Sequence, residues 1–166
     1  MKKSGIVALV ASLLVAQLGV AAGFLTPEEF VSRASAAGHS EVQLGKLAVQ
    51  KSSAADVRAF AQKMIDDHGA AGAELAALAK KKGLAVALPG EAQLAIQAEL
   101  QQKNGTEFDA AYAKQMLTDH DDAVSLFSAA GTLADADLAA FARKALPVLT
   151  QHQQMAKRLV TAHPSP

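Results

Sequence analysis

Residues 56–68 read Asp-Val-Arg-Ala-Phe-Ala-Gln-Lys-Met-Ile-Asp-Asp-His. Val57, Phe60, Met64 and His68 recur every three or four residues, with mostly polar or small residues between them. That is the period of a helix with one apolar face, not of a strand. The face continues through Ala71, Leu75 and Leu78, which predicts one helix from about residue 54 to residue 82. Lys80, Lys81 and Lys82 suit the negative end of that helix, and Gly83 closes it. The lysine run reads as a solvated last turn rather than a binding patch. Asp137-Leu138-Ala139-Ala140-Phe141-Ala142-Arg143-Lys144 is similar to Asp56-Val57-Arg58-Ala59-Phe60-Ala61-Gln62-Lys63. Each stretch opens the second helix of a hairpin, so the chain reads as two helical hairpins.

Upstream, Thr26-Pro27-Glu28-Glu29 is a helix start, with Thr26 as N-cap, Pro27 in the first turn and Glu29 closing a capping box. This first helix runs to about Lys51 with Phe30, Ala34, Ala37, Leu44 and Ala48 inward, and Ser52-Ser53 caps the next. Downstream, residues 84–105 hold Pro89, Gly90, a short helical candidate Glu91–Gln102 and the breaker Asn104-Gly105. A tight turn needs far fewer residues, so this segment is expected to cross over along the molecule. Thr106 is expected to cap the third long helix with Asp109 in its capping box. That helix continues through Tyr112, Met116, Val124 and Phe127 to about Ala130. The fourth runs from about Asp135 to Ala162, with Pro147 predicting a kink. The expected fold class is all-α. It is a ferritin-like four-helix bundle, two helical hairpins joined by a long crossover with a short extra helix.

Composition agrees. The chain is 51% hydrophobic but only 4% aromatic, and rich in Ala and Leu, which suits close helix packing and suits sheets poorly. Sixteen basic and sixteen acidic residues cancel, which removes any general electrostatic attraction to nucleic acid or an anionic membrane. A neutral Ala-rich surface permits a homo-oligomer without requiring one. With no Cys, the core stands without disulfides. Lys2 and Lys3, the apolar run Gly5 to Val20 and the small residues Val20-Ala21-Ala22 form a secretory signal pattern with cleavage expected after Ala22. Residues 1–22 are therefore expected to be a signal peptide and 23–166 one domain. Its destination is then the periplasm or the exterior, with no membrane association after cleavage.

Each long helix carries one polar residue on its apolar stripe: Glu41, His68, His120 and His152. At about 1.5 Å per residue, Glu41 and His68 lie roughly 17 and 23 Å from the first hairpin turn, and His120 and His152 roughly 18 and 27 Å from the second. All four thus fall near mid-bundle. Burying a carboxylate and three imidazoles costs free energy unless they are paired. Either they coordinate a single transition metal, for which imidazole and carboxylate suit Zn, Cu, Fe or Mn. Or they hydrogen-bond to one another, to Tyr112 and to buried water, fixing helix register without metal. Asp67, beside His68, serves in the metal reading as a ligand or as an orienting partner. Met64, Met116 and Met155 each lie one turn from a bundle His, a pattern that suits Cu(I) and equally suits ordinary core filling.

The remaining acids Asp66, Asp119, Asp121 and Asp122 are expected mostly in solvent, with Asp119 a neighbour of His120. His39 is expected on another face and His163 in the tail. No nucleophile–base spacing, glycine-rich phosphate loop or zinc-protease motif is present, so the chain reads as a non-enzyme before an enzyme.

Taken together, Phe30-Val31, Glu41-x-x-Leu44-Gly45-x-Leu47-Ala48, Val57-x-Ala59-Phe60-Ala61-x-x-Met64-x-x-Asp67-His68, Phe108-Asp109-x-x-Tyr112 with His120, and Leu146-Pro147-x-Leu149-x-x-His152 resemble the bacterial domain of unknown function 4142. The resemblance covers about residues 25–162. It implies an exported protein of ferritin-like fold and reinforces Glu41, Asp67, His68, His120 and His152 as the candidate metal set, but it supplies no reaction. Di-iron bundles place Glu three residues before a metal-binding His. Here Ile65 and Leu149 stand at those positions, which argues against a di-iron site and for one metal or none.

Overall fold

The computed structural model describes residues 25–165, so the signal-like residues 1–22 lie outside it. The described residues form five helices and no strand: α1 (Pro27–Lys51), α2 (Ala55–Lys82), α3 (Glu91–Gln102), α4 (Gly105–Ala130) and α5 (Ala136–Ala162). Among them, no helix is long and apolar enough to cross a membrane.

The helix ends follow local chemistry. Thr26 caps α1 by accepting from the Glu29 amide at 3.1 Å, with Pro27 in the first turn. The Glu29 carboxylate does not complete the expected box; it pairs with Arg33 one turn on at 3.1 Å. Ala54 rather than a serine occupies the N-cap of α2. The buried Ser52 hydroxyl accepts from the Ala54 amide at 3.1 Å and so closes the turn before the helix. Gly83 ends α2 at φ 69°, the left-handed conformation that favours glycine. One other expectation fails. Helix α4 starts at Gly105 with Asn104 as N-cap, not at a Thr106–Asp109 box, and Asp109 is buried. The apolar face of α4 needs Phe108 and Tyr112 inward, and that phase carries Asp109 inward with them. Helix α5 runs from Ala136 to Ala162 as expected, with Pro147 inside it.

Helix α1 packs chiefly on α2 and α4 chiefly on α5, while α1 also meets α4 and α2 meets α5. Phe30 in the first turn of α1 touches Phe127 late in α4, ring centroids 5.2 Å apart, and Phe141 early in α5 at 6.4 Å. Hence α1 runs antiparallel to α4. Lys82 at the end of α2 reaches Asp135 at 2.8 Å and Asp137 at 3.0 Å, both at the start of α5, so these helices are also antiparallel. The chain leaves α2 at one end and enters α4 at the other. The segment carrying α3 makes that return, with Lys51 donating to the Gln101 carbonyl at 2.7 Å near its close.

The α1–α2 contact is close at Gly45. A Cβ added there would meet the Ala61 carbonyl oxygen at 2.9 Å and Ile65 Cγ1 at 3.0 Å. A backbone carbonyl cannot rotate away, so Gly45→Ala must push the helices apart. We expect a loss of about 1–3 kcal/mol in urea denaturation, and unchanged stability would mean that the hairpin has slack here.

Two apolar clusters fill the interior. One contains Leu44, Val57, Phe60, Met64, Tyr112 and Met116. The other contains Phe30, Val31, Leu75, Leu126, Leu138 and Phe141. On every long helix the polar inner-stripe residue falls between the two clusters in sequence, so a polar layer divides the core.

Candidate metal centre

Helical phase delivers the layer. His68 follows Met64 by one turn and His120 follows Met116 by one turn, and both methionines are fully buried. Glu41 is 2% exposed, His68 9%, His120 0% and His152 1%, so all four inner-stripe residues are interior. Phe60 sits edge-on to the His120 ring at 6.3 Å and seals that side.

The three imidazoles cluster, with ring centroids 5.4–5.5 Å apart in each pair. Each has one ring nitrogen engaged. His68 Nδ1 donates to Glu41 Oε2 at 2.7 Å. His120 Nδ1 donates to the Met116 carbonyl at 2.8 Å. His152 Nε2 donates to Asp67 Oδ2 at 2.7 Å, and Lys63 Nζ holds the same oxygen at 2.8 Å. Because each partner only accepts, each bonded nitrogen carries the proton of a neutral ring. The other nitrogen then bears a lone pair. Those nitrogens, His68 Nε2, His120 Nε2 and His152 Nδ1, are buried and have no hydrogen-bond partner. The three histidines each offer a ring nitrogen within 4.8 Å of the other two.

The sequence expectations sort accordingly. His68, His120 and His152 converge. Glu41 and Asp67 do not join them as equals: each carboxylate holds the far side of an imidazole. The other Glu41 oxygen, Oε1, lies 3.8 Å from His120 Nδ1 and has no hydrogen-bond partner, so Glu41 holds His68 alone. Asp67 bonds not its sequence neighbour His68 but His152 on α5. Lys63 escaped the sequence reading, although its spacing of four before Asp67 was the available signal. The Met116 carbonyl left no signal, being backbone. Tyr112 does not enter a polar network, since its buried hydroxyl has no partner. Asp119 is not simply solvated. Burial and then the Glu41 charge push its carboxyl up to about 7, and it accepts from Gln115 at 2.8 Å. Asp66, Asp121 and Asp122 are exposed as expected. His39 is exposed and bonds the Ser35 carbonyl. His163 bonds Asp56 at 2.9 Å.

Burial and the neighbouring imidazoles bring His152 down to about 4, against the bond to Asp67. Burial lowers His120 despite Glu41. For His68 burial also favours the neutral ring, but the Glu41 carboxylate outweighs it and raises the pKa above 6.5. Burial thus disfavours a second proton on His120 and His152, and His68 is the one ring on which the Glu41 carboxylate favours it. Metal uptake is expected to expel at most one proton from the rings. Below the raised His68 pKa, affinity should fall about tenfold per pH unit, measurable by zinc titration from pH 8 to pH 6 in about half-unit steps. A steeper fall would mean that more than one ring starts protonated.

A groove of about 630 Å³ reaches this layer between α1, α2, α4 and α5, with Glu41, Asp67, His68 and His152 among its lining residues.

Residues 15–159 match the family described as Domain of unknown function (DUF4142). No curated protein and no solved structure matches the chain. The chain belongs to the DUF4142 family.

Proposed function

We propose that this DUF4142 protein is an exported helical bundle of ferritin-like arrangement that holds one transition-metal ion on His68, His120 and His152, serving metal handling or envelope stress defence. The observation that carries this reading is the set of three buried, unpartnered ring nitrogens, each on an imidazole pinned through its other nitrogen. Three buried lone pairs without a partner are costly. One cation satisfies all three, and carboxylate or carbonyl partners behind ligating imidazoles are the usual support of such sites. These nitrogens bond neither one another nor Tyr112, so a network without metal would have to run through buried water.

Glu41 and Asp67 act in this reading as orienting partners. They fix the tautomer of His68 and His152 and hold the rings. Three imidazoles suit Zn(II) or copper better than Mn(II), which prefers oxygen. The ion would supply charge to hold a fourth ligand on the groove side. The crossover between α2 and α4 and the antiparallel neighbours support the ferritin-like arrangement.

The test is elemental analysis of protein purified without chelators or a His tag, beside a His68→Ala/His120→Ala variant. About one equivalent of metal, lost in the variant, is expected. No metal in the wild type, and none taken up on titration, would refute the reading.

A further inference from the structure

The groove over the histidine layer contains a feature that helix packing does not explain. Gly38 on α1 and Gly69 and Gly72 on α2 all line it. Each sits inside a helix with negative φ, where glycine is a poor choice. A Cβ added at any of the three meets nothing within 4 Å. The contrast with Gly45, where a Cβ would strike a backbone carbonyl, is direct. Among the described residues, no contact requires these three to be small. What they leave is an open trough, continued by Phe127, Phe141, Val148 and Leu149. His68 and His152, more than nine-tenths buried and each with an unpartnered nitrogen, stand among its walls.

Charge defines the occupant. With the Asp119 carboxyl protonated, as it is below its raised pKa of about 7, a divalent ion on three neutral imidazoles with the Glu41 carboxylate behind His68 leaves one positive charge uncompensated in the interior. The Asp67 charge is already matched by Lys63. A buried net charge is unfavourable unless paired, so the fourth ligand should be a monoanion. The trough beyond it is apolar and of a size that holds small ligands. We infer that the groove binds a medium-chain carboxylate, its head on the metal and its alkyl chain along Gly38, Gly69 and Gly72. This rests on the metal reading above.

The test uses the purified protein loaded with zinc, or with cobalt as a visible reporter, titrated with acetate, decanoate and decanol. Decanoate should bind zinc-loaded protein at least about a hundredfold tighter than acetate, because its chain leaves water. It should bind about tenfold or more tighter than decanol, and tighter than it binds the metal-free protein, because its head meets the ion. It should also shift the cobalt absorption bands. Gly72→Leu puts a side chain in the trough and improves the helix, so melting temperature and zinc content should hold. Decanoate affinity should fall about tenfold or more. Equal binding of acetate and decanoate, equal binding of decanol, a silent cobalt spectrum, or an indifferent Gly72→Leu variant would overturn the inference. So would sedimentation showing that a second copy of the chain fills the groove. Zinc uptake without decanoate binding overturns the groove assignment alone, whereas absence of zinc uptake overturns it together with the metal site.

Discussion

Zinc at a thousandfold excess over its Kd is expected to stabilise the protein by about 4 kcal/mol, or roughly 10 °C in melting temperature. His120→Ala should remove that gain. The reason is linkage: the ion binds the folded arrangement of three imidazoles, which the unfolded chain does not offer. His120 is the informative position because it is fully buried and its Nδ1 is fixed by the Met116 carbonyl. His120→Ala also opens a cavity and lowers the metal-free baseline. The quantity to compare is therefore the zinc-induced increment, measured by calorimetry on each protein against its own metal-free form. An increment that survives His120→Ala would place the ion elsewhere. His39 and His163, which stand outside the layer, supply the control: their substitution should leave the increment intact.

Loss of Glu41 should be the most damaging change to the metal-free fold. Glu41→Ala leaves the His68 N–H buried without its 2.7 Å acceptor and opens a cavity between α1 and α2. Breaking a buried pair in this way costs about 3–5 kcal/mol. The pH dependence follows from the two shifts. Burial raises the Glu41 pKa, but the charge and hydrogen bond of His68 win and hold it below 4.5, so its contribution is present above about pH 4.5 and fades as pH falls. The His68 pKa is raised above 6.5, so its contribution is complete below about pH 6.5 and fades as pH rises through the folded value. The cost of Glu41→Ala should peak between those values. Glu41→Gln keeps an acceptor and should lose less. Urea denaturation of both variants at pH 5.5 and pH 9 checks the order, and a cost that grows toward alkaline pH would contradict it. Replacing Glu41 and His68 together by Leu removes both charges and should recover much of the stability while abolishing metal uptake. That combination would separate what the pair does for the site from what it does for the fold.

Much of the architecture was readable because it depends on phase. Val57, Phe60 and Met64 determine which face of α2 turns inward, and the same count carries His68 with them. Three residues of the candidate centre were legible for that reason. What phase cannot give is pairing across helices. Whether Asp67 meets His68 beside it or His152 on α5 depends on how α2 and α5 approach, and no count along one helix reveals that. The capping of α4 failed for a different reason. Thr106 and Asp109 have the right spacing for a box, but burial of Phe108 and Tyr112 fixed the helix phase and carried Asp109 inside. The groove was illegible because its signal is an absence of side chains: Gly38, Gly69 and Gly72 look like weak helix positions until their surroundings are known to be empty.

The histidine site is decided by where a metal binds. Anomalous diffraction from crystals of the zinc-loaded protein locates the ion without assumption. The expected peak lies about 2.0–2.1 Å from His68 Nε2, His120 Nε2 and His152 Nδ1, with Glu41 and Asp67 still on the opposite nitrogens. A peak bound by Glu41 or Asp67 in place of those rings, or at a surface carboxylate with the three histidines unliganded, would contradict it.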